Sequence, residues 1–412
     1  MVYPEELGID KELAERLSRF FSAERIESIA HRSQFIMRSS SRLTGLMFLK
    51  MNTFILSNGE ERSLQEQCDY LEDTFGIKLK KQSLDERYNT YAVSFMKQSY
   101  ESLLSEVLQA YVTPLERVDK EQECFFEGIE LVDATSFDLS SALQVFYKGG
   151  GNVDSSIKIH HRYELIKGQT LGLRIASGNE NDACYLPELN TGLIEGRLYI
   201  KDLGYYNLEH LKGISDNKAY FLSRYRGYTN CYIKDEIGQY KEVFMSDLVP
   251  KYGEDKEIAI IYIGKKKLKV RMIIESLPEE QVEKRKKRVI RKNTTNKHKT
   301  FHEDAMLLCQ FNVYVTNADE SILAVNKIRL LYALRWQIEL IFKIWKSVFE
   351  IDKVKQMNIF RFECYLYGRL MAILLSEKIQ NLYRDYLWEE EQLEISEFKC
   401  AKIVKKNLTN LE

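Results

Sequence analysis

Four polar residues stand at fixed intervals in one stretch, Tyr332-x2-Arg335-x3-Glu339-x6-Lys346. At 100° per residue of an α-helix they share an arc about 60° wide. Leu334, Ile338, Ile341 and Trp345 form an apolar stripe beside it. A generic surface helix scatters its charges over the exposed side; here one carboxylate is flanked by two cations and a phenol. That grouping suits a carboxylate that helps to hold a divalent metal, with Arg and Lys placed to hold phosphates. Two more acids qualify as partners. Asp133 follows an apolar run at 129–132, and Asp202 follows another at 198–200. Both runs read as short strands, so each carboxylate can stand at a sheet edge. Any single Asp more often serves structure. Two acidic strand ends and a helical Glu are together the parts of a two-metal phosphoryl-transfer site.

The whole chain restricts the alternatives. Its 412 residues are 44% hydrophobic and 29% charged, with only 5 Pro, which describes a folded protein of two to four domains rather than a disordered or fibrous one. Its apolar runs are too short for a membrane span, and its first residues do not read as a signal peptide. Seven scattered Cys without a Cys-x-x-Cys pair argue against a disulfide framework or the common zinc spacings. His160 and His161 are adjacent, so in a strand they point to opposite faces and cannot readily share a metal. The expectation is a cytosolic protein. Its net charge is −1, so contact with nucleic acid must come from a local patch. The candidate is the run Lys284, Arg285, Lys286, Lys287, Arg288, Arg291, Lys292, Lys297, His298 and Lys299, which contains no acid. A phosphate-binding surface is favoured there over a plain solvated loop.

The elements that must carry these residues follow from periodicity. About 115 N-terminal residues read as helical, with apolar spacing at 13–21 and 42–56. Ser63-Leu-Gln-Glu66 is a capping box whose helix stops near Gly76, and Ser83-Leu-Asp-Glu86 reads as a second. The second helix has Leu84, Tyr88, Ala92 and Phe95 on one stripe, with Arg87, Asn89 and Thr90 outside it. Residues 63–96 thus match a helix-turn-helix, with a plain helical hairpin as the alternative. From Gly128 the texture becomes mixed α/β. Strands are expected at 129–132 and 198–200, a hairpin-linked pair at 156–166 and 170–175, and an Asn207-capped helix containing Leu208, His210 and Leu211. Residues 220–318 are rich in strands, expected at 220–224, 240–244, 258–263, 268–275 and 307–316. After Ala324 the chain turns helical to about residue 387.

The spacing of Tyr332, Arg335, Glu339 and Lys346 resembles the Tyr-Arg-Glu-Lys signature of the cut-and-paste DDE transposases of bacterial insertion sequences. Asp133-Ala-Thr135 is similar to that family's first catalytic Asp motif. Asp202-Leu-Gly204-Tyr205 resembles its second, and the likeness spans residues 61–375. It implies an α/β fold whose RNase H-like mixed-sheet core (119–224 and 319–412) is interrupted by a β-strand-rich insertion (225–318). It also implies an all-α DNA-binding domain (1–118) that recognises the transposon ends, where Arg87 and Asn89 lie outside the core stripe. Asp133, Asp202 and Glu339 become the catalytic metal ligands for two Mg²⁺, or Mn²⁺. Tyr332, Arg335 and Lys346 contact DNA phosphate, as do Lys284, Arg285, Lys287 and Arg288 of the basic run. The implied partners are double-stranded DNA, both terminal inverted repeats and target, and a second copy in a synaptic homodimer. No membrane is implied, and the DNA-bound protein would be associated with the nucleoid.

The resemblance implies that where a hairpin forms at the DNA end an aromatic in the insertion stacks on a flipped base; that insertion has no Trp, so Phe221, Tyr225, Phe301 or another ring would have to serve. Two rivals follow from the same residues. One is an RNase H-fold nuclease that never joins strands, and the other a DNA-binding regulator without catalysis. Retention of all three acids speaks against the second.

Overall fold

In the computed structural model, residues 20–38, 41–55, 63–109, 125–295 and 303–407 are described. In chain order the first helices are α1 (Ala23–Arg32), α2 (Gly45–Lys50), a π-helix at Met51–Ile55, α3 (Leu64–Phe75), α4 (Lys81–Asp85) and α5 (Thr90–Gln109). The strands β1 (Ile129–Asp138), β2 (Ser156–Glu164) and β3 (Gln169–Ser177) follow, then α6 (Leu186–Asn190), β4 (Leu198–Lys201), α7 (Leu208–Asp216) and β5 (Tyr220–Arg224). Next come β6 (Cys231–Lys234), β7 (Tyr240–Val243), β8 (Lys256–Ile263), β9 (Leu268–Ser276), α8 (Glu279–Thr295) and β10 (Phe311–Thr316). The last helices are α9 (Val325–Ala333), α10 (Trp336–Ser347), α11 (Ile359–Glu391) and α12 (Glu397–Asn407). These elements form two compact units. The first comprises residues 1–115, 134–180 and 339–412, and the second residues 116–133 and 181–338.

In the first unit the expected Ser63 capping box closes α3. Ser63 Oγ accepts from the Glu66 amide at 3.3 Å, and Glu66 Oε2 accepts from the Ser63 amide at 2.6 Å. Gly76 ends the helix in the left-handed region, φ 69°. The second box does not form. Ser83 falls inside the short α4, whose N-cap Lys80 makes no side-chain bond, and a new helix starts at Thr90. Asn89 caps that start, its Oδ1 accepting from the amides of Tyr91 (3.0 Å) and Ala92 (3.2 Å). Leu84, Tyr88, Ala92 and Phe95 are all buried as their spacing predicts, but Leu84 is on α4, Tyr88 in the connection after it, and only Ala92 and Phe95 on α5. At five residues, α4 is shorter than the two-helix reading of 63–96 required.

The long α11 packs beside α5 and the π-helix. Leu370 to Leu375 is buried without a break, so this stretch is enclosed on every side of the helix. Gly368 permits the close approach, because a Cβ there would stand 2.1 Å from the Asn52 carbonyl oxygen. Among the described residues no helix is long and apolar enough to cross a membrane. The strand order in this unit is β3-β2-β1, with β2 and β3 forming the expected antiparallel pair.

The second unit carries the order β1-β4-β5-β10-β9-β8-β6-β7. Strand β4 pairs parallel with both β1 and β5, and the pairings from β5 through β10 to β7 are antiparallel. The result is a large mixed sheet. Parallel neighbours need a crossover, and α7 supplies it between β4 and β5. Asn207 caps α7 as expected, accepting from the His210 amide at 3.1 Å. Strand β1 does not stop at Asp133 but runs to Asp138, because Thr135 and Phe137 continue a buried alternation past it.

Candidate active site

In the second unit Asp133 and Asp202 are neighbours by register. The last matched residues of the parallel β1–β4 pair are Val132 and Lys201, and an aspartate follows each. Ligand sites in α/β sheets gather at the carboxyl ends of such strands. Asp202 also caps a short 3-10 turn, Leu203–Tyr205, its Oδ2 accepting from the Gly204 amide at 3.5 Å. Gly204 stands close to Asp182: a Cβ there would lie 2.6 Å from Oδ2 of Asp182, whose side chain would have to shift. Asp182 is thus a third carboxylate beside the Asp202 loop. Burial pushes the Tyr205 phenol well above its usual range, and Asp182, Asp133 and Asp202 each push it further. The charges of three carboxylates thus act on one buried phenol.

Positive charge meets Asp133 from the turn after α9. Arg335 Nη1 holds Asp133 Oδ2 at 2.9 Å, with both side chains largely buried. Tyr332 packs its ring on Tyr314 at 5.3 Å. Its phenol is pushed up to about 12, chiefly by burial; Arg335 and Arg224 lower it while Asp202 raises it. The Tyr332 hydroxyl is enclosed and makes no hydrogen bond among the described residues. Tyr332 and Arg335 do not share one continuous helix with Glu339, contrary to the helical arc. Helix α9 ends at Ala333 and α10 starts at Trp336. Between them the amides of Leu334, Arg335, Gln337 and Ile338 all bond three residues back, which tightens the turn in the segment where Arg335 engages Asp133.

Glu339 and Lys346 lie in the first unit, both on α10, and seven residues of helix return almost to the same face. Both are half-buried. Lys346 Nζ donates to the Ser136 carbonyl at 2.8 Å, on the continuation of β1. On the packed side of α10, Ile341, Phe342 and Trp345 are buried.

The profile described as a transposase DDE domain matches residues 125–375. A transposase for insertion sequence element IS1151 from Clostridium perfringens is 34% identical over 95% of this chain and 85% of its own length. One for IS231F from Bacillus thuringiensis subsp. israelensis is 31% identical over 98% of this chain and 87% of its own. The chain belongs to the DDE transposases of bacterial insertion sequences. Its fold is similar to that of the piggyBac transposase in a synaptic complex with hairpin DNA, with a TM-score of 0.50 and 10% identity over 96% of this chain and 79% of that one. That likeness supports an RNase H-like core. A DDE transposase cleaves DNA and transfers strands, so this chain is an enzyme of phosphodiester chemistry.

The donor chemistry of the second unit fits a hard divalent cation. Carboxylate oxygens are what such an ion selects, and the Arg335 guanidinium at Asp133 shows that this carboxylate accommodates positive charge. Among the described residues no three His, Cys, Asp or Glu side chains are grouped as a metal site. His161 bonds Thr170 in the core of the first unit, and His160 beside it is also fully buried.

The basic run is helical, not a loop, through Thr295, and Lys297, His298 and Lys299 lie outside the described residues. Lys284 pairs with Glu280 at 2.6 Å and Lys286 with Glu283 at 3.1 Å. Arg285 turns inward, donating to the Phe311 carbonyl at 3.0 Å and to Asn312 Oδ1 at 2.7 Å. Lys287 and Arg288 are exposed. Arg87 is half-buried, and the Asn89 amide serves the α5 cap. Phe221 and Tyr225 are buried in the core of the second unit, which removes both as rings for an extruded base, and Phe301 is outside the described residues. Sequence spacing missed Asp182 and Arg224. The glycine after Asp202 is the one signal that something stands close to that loop.

Proposed function

We propose that this transposase moves DNA by cut and paste, with Asp133, Asp202 and Glu339 as its catalytic acids. The observation that carries the reading is the register of β1 and β4, which sets Asp133 beside Asp202, with Arg335 on the Asp133 carboxylate. The three acids would hold two divalent cations, Mg²⁺ or Mn²⁺, which supply Lewis acidity and a more acidic attacking water. Arg335 balances the charge of Asp133 and is placed to receive phosphate oxygens. Tyr332 offers an enclosed hydroxyl with no acceptor among the described residues, suited to a phosphate oxygen, and Lys346 contributes a second cationic side chain from α10. In the cleavage step a water oxygen attacks the phosphorus at the element's end and the 3′ oxygen leaves with a proton. In the joining step that freed 3′-hydroxyl attacks a target phosphorus and expels the target's own 3′ oxygen. The cations of the chain stabilise the charge that develops on the phosphoryl oxygens.

The same proposal assigns end recognition to the N-terminal helices, including Arg87 and Asn89, and flanking-phosphate contact to Lys287 and Arg288, with the Glu280-paired Lys284 beside them, whereas Arg285 is turned inward and drops out of that set. The partners are terminal repeats and target DNA, and synapsis joins two copies. The enzyme acts in the cytoplasm on the nucleoid.

The test is substitution of each acid. Asp133→Asn, Asp202→Asn and Glu339→Gln are each expected to bind a terminal-repeat duplex like the wild type in a gel-shift assay while losing metal-dependent cleavage. Cleavage surviving in any one of them removes that residue from the site. A pre-cleaved end separates the nuclease alternative, because only a transposase joins it to target DNA.

A further inference from the structure

A polar relay lies in the core of the first unit, away from the residues that the proposed chemistry uses. Thr170 on β3 and His161 on β2 are both buried. Thr170 Oγ1 donates to Glu377 Oε2 on α11 at 2.8 Å. Having given its proton, the same hydroxyl accepts from His161 Nε2, also at 2.8 Å. His161 is therefore the neutral tautomer with its hydrogen on Nε2, and burial pushes its pKa down to about 3. Burial also pushes the Glu377 carboxyl up to about 7, against the pull of Thr170 and then Trp345. The His161 ring lies 4.8 Å from that of Trp345, and Phe342 lies 5.4 Å from Trp345 on another side. Trp345 Nε1 and Glu377 Oε1 are both enclosed, and neither has another hydrogen-bond partner among the described residues, so the Trp345 N–H that lowers the Glu377 carboxyl pKa is its natural donor. They line one cavity together with Ile341, Ile373, Gln380 and Arg384, a donor and an acceptor in a shared enclosure of mixed lining.

A carboxyl placed among Ile341, Ile373 and Trp345 loses hydration, and apolar side chains of similar volume would stabilise the core at least as well. What a polar relay adds is direction, because hydrogen bonds fix a rotation that hydrophobic contact leaves free. Trp345 is on α10, the helix that bears Glu339 and Lys346. We propose that Glu377 is a positioning residue: braced by Thr170 and His161, it fixes Trp345 and so the rotation of α10, which sets where Glu339 and Lys346 point. The inference rests on the reading of Glu339 as a metal ligand.

The experiment uses the full chain with Glu377→Gln, Thr170→Val, Thr170→Ser and Glu339→Gln. Mn²⁺ binding by the protein alone is followed from the loss of the free-ion electron paramagnetic signal. The Mg²⁺ dependence of end cleavage, gel-shift affinity and thermal melting are measured beside it. Glu377→Gln and Thr170→Val are expected to melt cooperatively, bind terminal DNA normally and lose about tenfold in Mn²⁺ affinity, the size of a lost outer-sphere contact. Half-maximal cleavage then needs correspondingly more Mg²⁺. Thr170→Ser keeps the hydroxyl and is expected to behave as wild type. If Glu377→Gln or Thr170→Val lowers the melting temperature while Mn²⁺ affinity per folded molecule stays unchanged, the relay is structural and the inference falls. Should Glu377→Gln not fold, Thr170→Val, which retains the carboxyl, decides by the same criterion. Glu339→Gln separates the two readings: normal metal binding and cleavage in that variant overturns the site itself, whatever Glu377 does.

Discussion

Two cationic segments of the second unit behave in opposite ways. Helix α8 has the denser charge, yet much of it is answered locally: Lys284 and Lys286 by glutamates on their own helix, Arg285 by the start of β10. The turn at Leu334–Arg335 has a single guanidinium, which reaches the Asp133 carboxylate at 2.9 Å from far away in sequence. Charge density along a chain measures composition. Chemistry depends on which acceptor a charge meets, and that is set by the sheet and the turn that bring Asp133 and Arg335 together.

The widest separation between the two segments should appear in catalysis. Arg335→Ala is expected to lower end cleavage about 1000-fold, the scale on which a positioned guanidinium stabilises phosphoryl transfer, with little change in gel-shift affinity. Arg335→Lys should recover only part of this, because an ammonium lacks the planar fork that spans two oxygens. Near-normal cleavage by Arg335→Ala would erase the distinction drawn between the segments.

For α8 the expected effect is on affinity. Replacing Lys287 and Arg288 together by Ala should weaken terminal-DNA binding about tenfold at fixed salt and reduce the slope of log affinity against log salt by about two, one for each phosphate contact. Cleavage of DNA already bound should not change. An unaltered salt slope would make α8 a solvated face and leave DNA contact to other surfaces.

The parts of the site legible in sequence were those fixed by local rules. The apolar runs before them put Asp133 and Asp202 in view, the Asn207 cap and the Ser63 capping box were readable from residue types, and the spacing from Tyr332 to Lys346 carried the family resemblance. What failed was nonlocal. Ser83 and Glu86 have the side chains of a capping box, but Asn89 offers two amides a better-placed acceptor and α5 begins there. The arc from Tyr332 to Lys346 assumed one helix, whereas the backbone tightens between Ala333 and Trp336. Strand β1 outlasted its apolar run because Thr135 is buried, which its polar type concealed. Asp182 gave no local sign, since it matters only through its proximity to Gly204.

The smallest effects should sort the cations of α8 by stability alone. Arg285 is half-buried, and burial, followed by nearby Arg224, holds its pKa down. Its two donors satisfy the Phe311 carbonyl and the Asn312 side chain, so Arg285→Ala leaves those acceptors unmet and is expected to cost about 1–3 kcal/mol in urea unfolding. Lys284 forms an exposed pair one helical turn from Glu280, and Lys284→Ala should cost no more than about 0.5 kcal/mol. Raising the salt should narrow the Lys284 difference first, because screening acts on exposed pairs more than on enclosed ones. Equal losses for the two variants would mean that Arg285 is as solvated as Lys284, and the contrast between a charge answered inward and one answered on the surface would be lost.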